Sequence, residues 1–136
     1  MAQLIDTSVF VTLERRGLSL AALVTAAPDE MIALASITAS ELLTGVHRAD
    51  TAERRLRREA IVEAILSRVA VLAFDLQVAR VHARIWAELA AGGRLIGAHD
   101  VQIAATAVAH GFTILTDNVR EFPRVPGLVV RQPAWP

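Results

Sequence analysis

Short apolar runs at 3–5, 31–35, 69–74, 112–116 and 128–130 alternate with stretches whose apolar residues recur at helical spacing, and this alternation leaves few folds open. Strands joined by helices cross over with a right hand, lie parallel, and bring their carboxyl ends to one edge of a sheet. An α/β fold with a parallel sheet is expected. Helices are expected over 9–13, with Thr7 or Ser8 as N-cap, and over 18–27, 39–46, 50–67, 76–91 and 97–111. The last of these ends on Gly111, which can take the left-handed conformation that closes a helix.

Acids stand at marked places in this pattern. Asp6 ends the first run and Asp117 follows the fourth, so both belong to the sheet edge where ligands of open α/β sheets bind. Asp100 falls in the first turn of the helix 97–111, with Ala104 and Ala107 on the same face, so its surroundings are cut down to methyl groups. Glu41 is expected in the first turn of the helix 39–46, with Gly45 as its i+4 neighbour and no cation beside it. Each acid also has a structural explanation. Asp6 can cap a helix, Asp100 can complement a helix dipole, and Thr38 with Glu41 fits a capping box.

Gathered in an apolar surround, Asp6, Glu41, Asp100 and Asp117 would repel one another and lose hydration, unless a cation compensated them. The chain has no cysteine and no clustered histidine, so the ligands would be oxygens, which suit Mg²⁺ or Mn²⁺. Metal-assisted hydrolysis of a phosphodiester is the matching chemistry. A phosphatase or receiver-type site would want a lysine, and all 14 basic residues are arginine.

Other features narrow the field. A length of 136 residues suits one domain, 1–136, and the 54% of hydrophobic residues suits helices packed on a buried sheet. No apolar run is long enough to span a membrane and no signal peptide is legible, so a cytoplasmic protein is expected. A net charge of zero excludes a global positive field as the means of finding nucleic acid. Arg54, Arg55, Arg57 and Arg58 could grip RNA phosphate or form a solvated face with Glu53, Glu59 and Glu63, above an inward stripe of Ala60, Ile61, Ala64 and Ile65. His82 and Trp86, one helical turn apart, suit packing or a subunit interface. Gly92-Gly93 lies in no phosphate-loop motif.

Four blocks carry a specific resemblance. They are Leu4-Ile5-Asp6-Thr7-Ser8-Val9-Phe10, Ile37-Thr38-Ala39-Ser40-Glu41-Leu42-Leu43-Thr44-Gly45-Val46, Ile96-Gly97-Ala98-His99-Asp100-Val101-Gln102-Ile103-Ala104-Ala105, and Leu115-Thr116-Asp117-Asn118-Val119-Arg120-Glu121-Phe122. Together they resemble the PIN-domain ribonucleases, most closely the VapC toxins of toxin-antitoxin pairs. The resemblance implies a three-layer α/β/α domain, Mg²⁺-dependent endonucleolytic cleavage of RNA with Mn²⁺ as a possible substitute, homodimers, and a toxin-antitoxin hetero-oligomer. A VapB-like antitoxin would cover the acidic pocket with its C-terminal segment. By motif, Asp6 and Asp100 become the principal metal ligands, Glu41 supports them, and Asp117 takes the fourth acidic place, with Asn118 and Glu121 as the other occupants of that block. Thr7 or Ser8 would hydrogen-bond Asp6 or a water at the metal. Two alternatives stay open: a PIN-domain nuclease of RNA maturation or decay with no antitoxin, and a non-catalytic PIN-like binding module.

Overall fold

The structure, a computed structural model, describes residues 2–26 and 30–135, the side chains of 24–26 aside. In chain order it comprises β1 (Ala2–Ile5), α1 (Thr7–Arg16), α2 (Leu20–Ala26), β2 (Met31–Ala35), α3 (Ser36–His47), α4 (Ala52–Arg68), β3 (Ala70–Leu72), α5 (Leu76–Ala91), α6 (Ala98–His110), β4 (Thr113–Leu115), a 3-10 turn (Phe122–Arg124) and β5 (Val130–Arg131). The stop expected for α2 before Pro28 lies outside the described residues.

The strands form one sheet in the order β3-β2-β1-β4-β5, and every pairing is parallel. The connection after β1 leads to one side of the sheet and the connection after β4 to the other. The gap between these two central strands is therefore a topological switch point, the place where open α/β sheets form a ligand crevice. Asp6 directly follows β1 at that gap.

Pleating sorts the sheet's residues into two cores. Leu4, Ala33, Ala35 and Ile114 turn toward α5 and α6, where they meet Val78, Ile85, Leu89, Val101 and Ile103. Ile5, Leu34 and Leu115 turn the other way, toward Val9, Phe10 and Leu13 of α1 and Ile65 of α4. Three layers result, helices over sheet over helices, as the resemblance implies. Among the described residues no helix is long and apolar enough to cross a membrane.

Helix α6 lies at the centre of the first core. Ala104, Ala105 and Ala107 are fully buried, and the helix ends in a left-handed Gly111 with φ of 69°. An alanine face permits the close approach and leaves no space for a larger side chain. Ala104→Leu is expected to destabilise the fold by about 1–3 kcal/mol through overpacking, read as a lower midpoint in urea denaturation.

Several local expectations are corrected. Helix α1 begins at Thr7, so Thr7 and Ser8 are its first helical residues, and Asp6 stands at the N-cap position without making a side-chain capping bond. Helix α3 begins at Ser36. Thr38 is thus inside the helix and fully buried, the N-cap is Ala35, no capping box forms, and Glu41 belongs to the second turn rather than the first. On α4 the inward residues are Val62 and Ile65, while Ile61 is exposed. That helix sits one edge against the core, where Ile65 and, just past the helix end, Val69 join the cluster of Val9, Phe10 and Leu13.

Candidate active site

At the carboxyl edge of the sheet the structure builds a pocket of acids around Asp6. This side chain is 3% exposed. A buried carboxylate needs donors, and Asp6 Oδ2 receives two of them, Ser8 Oγ at 2.8 Å and Thr116 Oγ1 at 2.9 Å. The backbone explains both. Ser8 lies in the first turn of α1, two residues on, and Thr116 directly follows β4, whose Leu115 carbonyl accepts the Asp6 N–H at 2.9 Å.

Helix α3 brings Glu41 to the same edge. Its Oε1 accepts from Thr7 Oγ1 at 2.9 Å, and His99 Nδ1 lies 3.7 Å from Oε2. Asp100 arrives on the first turn of α6. Gly97, the residue before the helix, leaves room for it, since a Cβ there would stand 3.1 Å from Asp100 Oδ2.

Electrostatics link these groups. Asp100 is pushed from the ordinary 3.8 up to about 6, first by burial, then by the charges of Asp6, Glu121 and Glu41, and last by a hydrogen bond with the Glu121 side chain. The structure therefore brings together Asp6, Glu41, Asp100 and Glu121. Among the described residues His99 beside Glu41 is the one ion pair at this edge, and neither Asp6 nor Asp100 enters one. Among the described residues no group of three or more His, Asp or Glu side chains is already arranged to hold a metal ion.

At the fourth acidic place, expected at Asp117 with Asn118 and Glu121 as the other occupants of the block, the Asp117 carboxylate accepts from Thr12 and Trp135. Oδ2 accepts from Thr12 Oγ1 at 2.6 Å and Oδ1 from Trp135 Nε1 at 2.8 Å. Glu121 is the acid of that block that neighbours Asp100. The cause is the path of the loop after β4. Asn118 Oδ1 accepts the Glu121 N–H at 3.2 Å and turns the chain, and fully buried Phe122 anchors the turn in the core. Thr116, Thr12 and Trp135 were not anticipated as parts of the site's framework. A buried aromatic at 122 next to an acid was the available signal for Glu121.

The arginine run on α4 is engaged within the protein. Arg54 pairs with Asp50 at 2.9 Å, Arg57 with Glu53 at 2.6 Å, and Arg58 with Glu14 at 3.1 Å, while Arg55 donates to the His47 carbonyl at 3.2 Å. The solvated-face explanation accounts for it. His82 likewise packs, stacked on Trp86 at 6.0 Å and edge-on to Phe74 at 5.4 Å.

With the geometry in view, comparisons with known proteins add independent evidence. The family described as PIN domain matches residues 4–128. Ribonuclease VapC1 of Rickettsia felis is 35% identical over 130 residues, covering 96% of this chain and 95% of the relative. A tRNA(fMet)-specific endonuclease VapC of Salmonella typhimurium is 41% identical over 95 residues, 70% of each chain. Among solved structures, DNA-bound VapBC from Salmonella typhimurium superposes with a TM-score of 0.85 at 31% identity, covering 97% of this chain and 98% of the other. VapBC2 from Rickettsia felis, bound to a promoter DNA fragment, gives 0.85 at 27% identity and covers 100% of both chains.

Proposed function

Because the chain belongs to the PIN-domain family and, within it, to the VapC group, we propose that it is the toxin of a toxin-antitoxin pair, a divalent-metal-dependent endoribonuclease acting in the cytoplasm. The observation that carries this reading is the half-buried Asp100 carboxyl, pushed up to about 6 by burial and by like charges from three neighbouring acids, with no ion pair to Asp100 among the described residues. Such an arrangement is unfavourable unless a cation enters it. The donors are carboxylate oxygens, which fit Mg²⁺ and, as a substitute, Mn²⁺. Asp6 and Asp100 would hold the ion, with Glu41 and Glu121 in support. When bound, the ion supplies a Lewis acid that makes water nucleophilic near neutral pH and offsets negative charge on the phosphate.

The chain's own groups prepare this site. Ser8 and Thr116 both donate to Oδ2 of Asp6, which restrains the carboxylate and would leave Oδ1 for an ion. Thr7 holds Glu41 by one oxygen in the same way. The Asp100 carboxyl, pushed up to about 6, gives up its proton near neutral pH.

As partners we assign a VapB-like antitoxin, supported by likeness to VapBC complexes from two bacteria, and a second copy of the chain. The test is induced expression followed by sequencing of new RNA 5′ ends, with and without co-expression of a cognate VapB-type protein. Discrete cleavage and growth arrest, both relieved by that protein, support the reading. Harmless expression without new ends overturns it. In vitro, Mg²⁺ removal by a chelator should abolish cleavage and re-addition should restore it.

A further inference from the structure

The most developed hydrogen-bond network outside the acidic pocket runs through Asp117. Its backbone N–H donates to Ser8 Oγ at 3.1 Å, and the next N–H, of Asn118, donates to Thr116 Oγ1 at 2.8 Å. Each hydroxyl that accepts from a backbone N–H is left to donate its own proton onward, and both donate to Asp6 Oδ2. The two consecutive amides at 117 and 118 therefore set the orientation of the two hydroxyls that fix Asp6.

Those amides need an anchor, because they follow the last residue of β4 and lie outside its ladder. The Asp117 side chain supplies one at each oxygen, Thr12 on α1 and Trp135 in the C-terminal segment. Trp135 is secured in turn. Its ring packs against the core of Ile5, Phe10 and Leu13, and the Arg16 guanidinium lies 5.3 Å from the ring centroid.

We infer that Asp117 and Trp135 are positioning residues for the metal-ligating Asp6: the C-terminal segment clamps the loop after β4, and the loop's amides orient Ser8 and Thr116 on Asp6. The inference rests on the reading of Asp6 as a metal ligand. It gives Asp117 a role built from hydrogen bonds, where a ligand's role is built from charge, and the two separate under substitution. In Asp117→Asn the amide oxygen accepts from the indole N–H and the amide nitrogen donates to the Thr12 hydroxyl, so the clamp survives without the charge. In Asp117→Ala both arms are lost. In Trp135→Phe the ring packing stays and one arm goes.

The experiment titrates Mg²⁺ in a cleavage assay and Mn²⁺ in a binding assay read by its electron paramagnetic resonance, for the full chain and the three variants. Asp117→Ala is expected to raise the half-saturating concentration of both ions at least about tenfold, as loss of an outer partner of a metal ligand does. Trp135→Phe is expected to shift it in the same direction by a smaller factor, and Asp117→Asn to stay close to the parent. If Asp117→Asn fails as badly as Asp117→Ala, the charge is what counts and the clamp is overturned. A Trp135→Phe protein with unchanged affinity for both ions also overturns it, whether or not Asp117→Ala folds. A parent chain that binds Mn²⁺ yet cuts no RNA would instead defeat the proposed nuclease function while leaving the clamp measurable.

Discussion

Asp100→Asn is expected to lose RNA cleavage by on the order of 10³-fold and, in the same protein without metal, to melt at a higher temperature. Both effects have one cause. At neutral pH the Asp100 carboxylate is half-buried beside Asp6, Glu121 and Glu41, so its charge opposes folding while preparing the pocket for a cation. Asparagine removes the charge, keeps the shape and has an amide N–H that can donate to the Glu121 carboxylate. A gain of roughly 3–5 °C is what a change near 1 kcal/mol produces in a domain of this length. Asp6→Asn should abolish cleavage equally and leave stability nearly unchanged, because the amide oxygen can still accept from Ser8 and Thr116. Differential scanning calorimetry of chelated protein and single-turnover cleavage decide the matter. An Asp100→Asn protein within tenfold of the parent's rate would remove Asp100 from the metal site.

Much of this site was legible from residue order alone. Asp6 was placed by one rule, that the residue after a strand in a parallel sheet faces the ligand edge, and the sheet order then put it at the switch point. Asp100 was placed by the small-residue face of α6, since few sequences surround a carboxylate with methyl groups by accident of packing. Glu41 was identified by its block, although its helix starts three residues earlier than the 39–46 spacing indicates. The fourth acid was not legible in the same way. Between Thr116 and Phe122 there is neither a period of two nor of 3.6, so no rule assigns a side to Asp117 or Glu121. Their directions follow from contacts distant in sequence, Thr12 and Trp135 for one and the Asp100 carboxyl for the other. The inward stripe of α4 was displaced for a related reason. A helix at the rim of a core meets it along a narrow line, which Val62 and Ile65 mark, while Ala60 and Ile61 extend the apolar spacing without being covered.

Dependence on pH gives the second large effect. At the proposed metal site a proton on Asp100 would compete with the divalent cation, and burial with like charges pushes this carboxyl up to about 6. At limiting Mg²⁺, cleavage should therefore fall about tenfold per pH unit below about 6, and saturating Mg²⁺ should move the inflection to lower pH. Stability of the metal-free chain runs the opposite way. The folded-state value lies above the ordinary 3.8, so the contribution of this protonated carboxyl is fully present below 3.8 and is lost as pH rises through about 6. With excess Mg²⁺ the ion takes the proton's place and the loss above pH 6 is offset by binding to the folded state. Asp100→Asn should abolish both the inflection in metal-free stability and most of the Mg²⁺-induced rise in Tm. Melting curves across pH 4.5–8, with chelator and with Mg²⁺, measure all of these. A parent whose Tm is indifferent to Mg²⁺ at pH 8, or whose metal-free stability rises through pH 6 in step with its Asp100→Asn variant, would show that no cation is needed to relieve the repulsion among these acids.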